Sequence, residues 1–327
     1  MSQLTDRGIA AGPARQRRLR FPQSPPPVTG ARRITHLSTG LVLFPFYWAA
    51  GALLGVPGLR FRCRCLSAGI RLLFAGRAAD AYRCIVAPMD SVRHFEMDFF
   101  WRRIRVLRPT SLLDVSSPRL LPLMFLRVDP SAHVDLVNPD ASDLARTRAL
   151  ARGLGVEERC RFLEVRIDAL PPDAGSYSLV TCMSVLEHIV DDLGAVRMMW
   201  DRVAPGGHLL LSVPCAAQPM EEFTNVDEYR LLDADEDGFV FWQRYYDEQR
   251  LQAIFDITGE PVTRALYVER VPGAYDADVL AKRTDSVYPS WREPLATARA
   301  YTRHDNIATQ PGMGIVALEF AKPVTDR

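Results

Sequence analysis

The side chains able to do chemistry stand just behind short apolar runs. Asp114 lies in Ser111–Val115 and is followed by Ser116 and Ser117; Asn138 follows His133–Val137; Asp168 and Ala169 follow Arg161–Ile167. Ser184, Glu187 and His188 follow Tyr177–Met183. Carboxylates, an amide and hydroxyls can hold a polar ligand by hydrogen bonds. An imidazole titrating near neutrality can take a proton from a hydroxyl nucleophile. Glu187 and His188 read either as that acid–base pair or as caps that orient the next helix. No metal site is expected. The six cysteines (Cys63, Cys65, Cys84, Cys160, Cys182, Cys215) form no CxxC pair. Asp233-x-Asp235-x-Asp237-Gly238 opens like a calcium loop, but Gln243 and Arg244 stand where its glutamate is needed.

The elements between these positions give them their meaning. Leu120–Val128 reads as a helix begun after Pro118. A second helix starts at Asn138-Pro139, with Asn138 as its cap, and a third runs from Asp191 to Val203. His208–Val213 is a fifth strand. Alternating strands and helices at this spacing make an α/β protein with a mostly parallel sheet, which binds ligands at the carboxyl ends of its strands. Pro261–Val271 and Gly314–Ala321 supply two further strands and an antiparallel edge. The stretch of about 40 residues between them is long enough for a functional cover.

Five segments in order carry a resemblance: Ile167-Asp-Ala-Leu-Pro171, Ser176-Tyr-Ser-Leu-Val180, Ser184-Val-Leu-Glu-His188, Arg202-Val-Ala-Pro-Gly-Gly207 and Leu211-Ser-Val-Pro214. Over about residues 108–215 the chain resembles the class I S-adenosylmethionine-dependent methyltransferases, particularly the type 11 group. The resemblance implies a Rossmann-like fold: a mostly parallel seven-stranded sheet with an antiparallel edge strand and helices on both faces. It implies S-adenosyl-L-methionine as cofactor. Asp168 would accept from the adenine amino group, with Ala169 beside it. Asn138 stands where the family's ribose-gripping acid is expected. Asp114 would contact bound water or the cofactor amine, and Ser116, Ser117 and Ser184 would border the cofactor. Glu187 and His188 would flank the methyl-transfer cavity, and Arg244, Tyr245 and Tyr246 would line the acceptor pocket. The departure lies at Ser116-Ser117-Pro118-Arg119, where the family has a glycine-rich turn. Glycines there allow positive φ and close backbone approach to the cofactor.

The leading expectation is methyl transfer to a small-molecule or lipid- or glycan-linked acceptor, at oxygen because His188 supplies a base. Two alternatives stand beside it. One is a non-catalytic protein that keeps the fold without the cofactor, motivated by Ser116–Arg119. The other is a membrane-attached binding component, motivated by the uncharged stretch Ile34–Leu59. The 40 basic and 39 acidic residues argue against a nucleic-acid partner, and the lack of GxGxxG after the first strand argues against a nicotinamide enzyme.

Three regions are expected. Residues 1–33, with seven arginines against Asp6 alone, read as a disordered basic arm. Residues 34–88 read as an apolar, helical extension that either contacts a membrane surface through 34–59 or packs on the body. Residues 89–323 read as the methyltransferase-like domain, with a cofactor half at 108–215 and an acceptor or cover region at 216–313. Loss of residues 1–60 is expected to leave the fold intact. The sparse cysteines favour a reducing, cytoplasmic setting, peripheral to the membrane if the apolar stretch touches one.

Overall fold

A computed structural model describes residues 14–22, 26–171, 175–227 and 231–324. The described chain begins with strand β1 (Arg15–Leu19) and four helices: α1 (Gly30–Leu53), α2 (Leu59–Phe74), α3 (Ala78–Val86) and α4 (Arg93–Leu107). The α/β alternation follows: β2 (Ser111–Val115), α5 (Leu120–Val128), β3 (His133–Val137), α6 (Ala141–Leu154), β4 (Cys160–Leu163), β5 (Tyr177–Met183), α7 (Asp192–Asp201) and β6 (Val203–Cys215). Then come β7 (Met220–Thr224), β8 (Val240–Tyr245), α8 (Glu248–Thr258), β9 (Thr263–Glu269), α9 (Ala274–Thr284), α10 (Glu293–Ala300), β10 (Tyr301–His304) and β11 (Gly314–Ala321).

The main sheet runs β10-β9-β11-β6-β5-β2-β3-β4. The pairs among β4, β3, β2, β5 and β6 are parallel, and β11 lies antiparallel between β6 and β9. This is the expected Rossmann-like, mostly parallel sheet. It has eight strands where seven were expected, because β10 adds antiparallel to the outer edge of β9. The two-residue side-chain period of a strand divides the core. Leu112, Leu179 and Leu210 belong to a core shared with α2, α4, α5 and α6, while Leu113, Val180 and Leu211 belong to one shared with α7 and α8.

The amino-terminal region is more structured than its composition suggests. Within the stretch read as a disordered arm, residues 15–19 form β1, parallel to β7 in a second sheet of order β1-β7-β8. Arg17 Nε donates to Glu222 at 2.6 Å, and Glu222 is fully buried. Arg18 pairs with Asp235 at 2.8 Å and also with Asp237, so β1 neutralises the acidic turn that resembled a calcium loop. Residues 1–13 of the arm lie outside the described residues.

Helix α1 continues through Pro45 and turns one face inward, burying Gly40, Trp48 and Gly51. A Cβ on Gly51 would sit 2.7 Å from the backbone of Pro294, so glycine lets α1 lie directly on α10. Trp48, Val56 and Phe61 belong to the main core. Loss of residues 1–60 would therefore open that core, contrary to the expectation from sequence. Among the described residues no helix is long and apolar enough to cross a membrane.

Candidate active site

The carboxyl ends of β2, β3 and β5 and the turn after β4 open onto one cavity of about 1100 Å³. Ser116, Ser117, Asn138, Asp168, Ser184 and His188 all line it. The parallel sheet thus gathers six of the sequence-derived positions from four separate strand ends.

The turn after β2 explains how serine replaces glycine. Ser116 has φ +52°, in the left-handed region that glycine normally fills. Its N–H and its Oγ–H both donate to the Val137 carbonyl, each at 2.9 Å, which holds the unfavourable conformation. Ser117 is buried and its Oγ accepts from Met183 N–H at 3.0 Å, tying β2 to the end of β5. Both hydroxyls are therefore engaged with the protein's own backbone, and the turn offers a ligand mainly its backbone edge. Asp114 lies beneath, outside the cavity lining, where its carboxylate accepts from Thr181 Oγ1 at 2.7 Å and Ser117 N–H at 3.2 Å. Burial pushes its carboxyl up to about 6, against those hydrogen bonds.

Asn138 does not cap α6. The cap is Asp140, whose carboxylate accepts from Ser142 N–H at 2.8 Å and Asp143 N–H at 3.1 Å. Asn138 instead folds the turn, accepting from Asp140 N–H at 2.8 Å and donating to Asp143 at 3.2 Å. Asp143 also pairs with Arg119. Asp140, Asp143 and Arg119 all line the cavity. Sequence reasoning passed over them although two acids within six residues of a strand end are a usable signal. Asp168, on the turn Ile167–Ala169, is exposed and paired with Arg166 at 2.7 Å; Ala169 is exposed beside it, outside the lining.

At the end of β5, Ser184 also takes a positive φ, +46°. Its hydroxyl donates to the buried Glu96 of α4, which accepts from Ser212 Oγ at 2.6 Å and pairs with Arg93 at 2.8 Å. Two strained serines on neighbouring strand ends mark the kind of backbone strain that collects at functional sites. His188 Nδ1 lies 2.5 Å from the Trp242 carbonyl oxygen. A carbonyl only accepts, so this contact places the proton on Nδ1 and the lone pair on Nε2.

Glu187 lies 3.9 Å from His188 Nε2 and is buried behind the cavity, with Oε2 lacking a partner among the described residues. Burial pushes its carboxyl up to about 8. A folded-state value above the unfolded one means that the native state holds the extra proton between about pH 4.5 and 8. Stability from this group is present at acid pH and is lost as pH rises through that window. In urea unfolding, Glu187→Gln should gain on the wild type from pH 5 to pH 8, by up to about 1.4 kcal/mol per pH unit. Parallel pH curves for the two proteins would refute the buried, protonated Glu187.

Arg244, Tyr245 and Tyr246 are placed away from the cavity lining. All three are buried. Tyr246 donates to Asp192 at 2.8 Å, Arg244 pairs with Asp192 at 2.6 Å, and Tyr245 donates to Glu222 at 3.3 Å. Burial of Asp192 pushes its carboxyl up, but the hydrogen bond from Arg250 and the Arg244 charge outweigh this and hold it below the ordinary range. Their neighbours Val240, Phe241 and Trp242 line the cavity instead. Trp242 is braced from behind by Phe21, whose ring meets it edge-on at 5.6 Å.

Residues 117–259 match the model of a methyltransferase domain family. That segment, under half of the chain, is thus similar to a methyltransferase domain. Among curated proteins, a ubiquinone biosynthesis O-methyltransferase of Xanthomonas axonopodis pv. citri is 37% identical over 79 residues, 24% of this chain and 31% of that protein. The protein of that name from Xanthomonas campestris pv. campestris is 29% identical over 126 residues, 38% of this chain and 51% of its own length. The matches thus span about a third to a half of these relatives. A solved structure of coclaurine N-methyltransferase bound to N-methylheliamine and SAH covers 71% of this chain and 74% of its own, at 12% identity and a TM-score of 0.48.

Proposed function

We propose that this methyltransferase uses S-adenosylmethionine to methylate a hydroxyl oxygen of a small, largely apolar acceptor. The convergence of Ser116, Asn138, Asp168, Ser184 and His188 on one cavity carries this reading. The cofactor, when bound, supplies an activated methyl group on sulfonium. The protein's task is then mainly to position the acceptor and remove its proton. Asp168, released from Arg166, accepts from the adenine amino group. Asn138 and the nearby Asp143 supply polar partners for the ribose, and the backbone of the Ser116 turn borders the methionine portion. His188 Nε2 takes the acceptor proton. Met198, Ile189, Phe241 and Trp242 give the cavity an apolar wall. The buried indole N–H of Trp242 has no partner among the described residues, so it suits an acceptor oxygen. The Xanthomonas relatives are named O-methyltransferases, which supports the choice of oxygen.

The test is calorimetric titration of wild type and Asp168→Ala with S-adenosylhomocysteine. Loss of one charged hydrogen bond should weaken binding by about 1–3 kcal/mol, with the melting temperature unchanged because Asp168 is exposed. Unchanged affinity in the folded variant would remove Asp168 from the adenine site.

A further inference from the structure

Helices α1 and α2 have outward faces that nothing in the described chain covers. On α1 the exposed positions Ile34, Ser38, Leu41, Val42, Pro45, Phe46, Ala49 and Leu53 recur at helical spacing and form one stripe, apolar except for Ser38. Phe46 is 69% exposed and Leu53 88%. The opposite face of the same helix is packed on α10, so the stripe is a surface rather than a misplaced core. Along α2 the exposed line alternates Arg60, Arg64 and Arg71 with Ile70 and Phe74, the last 90% exposed.

The charge pattern identifies what this surface fits. From Arg7 to Ala79 the sequence contains no acidic residue. Arg33, Arg60, Arg64 and Arg71 are exposed and make no ion pair among the described residues. At the elbow between the helices, a second cavity of about 670 Å³ is lined by Arg60, Arg102, Arg270 and Arg303 together with Leu54 and Leu59. Asp98 offsets Arg102 at 2.8 Å, while Arg60 and Arg270 have no such partner among the described residues. An apolar stripe bordered by arginines, with an arginine-lined hollow at one end, matches acyl chains bordered by phosphates. An interfacial helix binds in this way, through buried apolar area plus attraction to anionic lipid. No described helix is long and apolar enough to cross a membrane, and the one-sided stripe of α1 has the pattern of a helix that lies in an interface.

We propose that the α1–α2 face docks this protein on an anionic phospholipid bilayer, with Phe46 and the Leu53–Leu54 elbow entering the acyl boundary and the surrounding arginines meeting phosphates. This docking does not rest on the catalytic reading. The docking helices nevertheless adjoin the active-site wall: a Cβ on Gly69 of α2 would lie 2.5 Å from Ile85 of α3, and α3 contributes Asp80, Arg83 and Cys84 to the large cavity.

The test is flotation of the full chain with vesicles of phosphatidylcholine alone or mixed with phosphatidylglycerol, at low and high salt. Wild type should float with the mixed vesicles at low salt and lose most binding on phosphatidylcholine alone or at high salt. Phe46→Asp with Leu53→Asp should abolish flotation. Arg60→Glu with Arg64→Glu should reduce it roughly tenfold or more, since each basic residue near such a surface contributes about 1 kcal/mol. Near-UV circular dichroism confirms folding, and Phe46→Ser with Leu53→Ser replaces the aspartate pair if that pair unfolds. Failure of the wild type to float with anionic vesicles, or equal flotation by a folded apolar-face variant, would overturn the proposal. So would a wild-type dimer that these substitutions dissociate without any flotation, because a second copy would then cover the face.

Discussion

Replacement of His188 by alanine is expected to lower the methyl-transfer rate by about 10²–10⁴-fold, the range lost when a positioned general base is removed. S-adenosylhomocysteine affinity should hardly change. The Trp242 carbonyl fixes the histidine tautomer, so on the proposed reading the group lost is the basic Nε2 rather than part of the cofactor's cradle. Transfer of labelled methyl to a simple diphenol probe, followed across pH, separates the two roles. The variant's deficit should shrink at alkaline pH, where the probe's hydroxyl ionises without a base. An unchanged rate would mean that the acceptor arrives already deprotonated, or that another group accepts its proton.

The second large effect is expected at Ser116. Glycine at this position relieves the left-handed strain of a residue at φ +52° but loses the Oγ bond to Val137. Strain relief and one lost hydrogen bond are each worth about 1 kcal/mol and oppose each other. Ser116→Gly should therefore keep its stability and bind S-adenosylhomocysteine as well as or better than wild type. Ser116→Leu keeps the strain and adds bulk at the cavity edge. It should weaken binding by about 5- to 150-fold, given about 1–3 kcal/mol for overpacking. Equal affinity in wild type, Ser116→Gly and Ser116→Leu would show that no cofactor passes over this turn.

The strand–helix half of the fold, about residues 108–215, was legible because its signals are local. Apolar runs at Ser111–Val115, His133–Val137 and Tyr177–Met183 became β2, β3 and β5 at those residues, and the helix expected at Leu120–Val128 is α5. Strand ends could be read off directly, which is why six expected positions meet in one cavity. What escaped was non-local. An arginine-rich segment reads as solvated until Glu222, Asp235 and Asp237, more than 200 residues away, turn up as its partners. Arg244 and Tyr246 looked like pocket residues because their partner, Asp192, lies over 50 residues upstream and draws them under α7. Asn138-Pro139 resembled a helix start, but Asp140 competes for the cap and carries a carboxylate that can accept two N–H groups.

The most direct test of the account is calorimetric titration of the full-length chain with S-adenosylhomocysteine. The strand-end cavity predicts saturable one-to-one binding that Ser116→Gly retains or strengthens. No binding by either protein, with both folded, would contradict it and leave a methyltransferase fold without its cofactor.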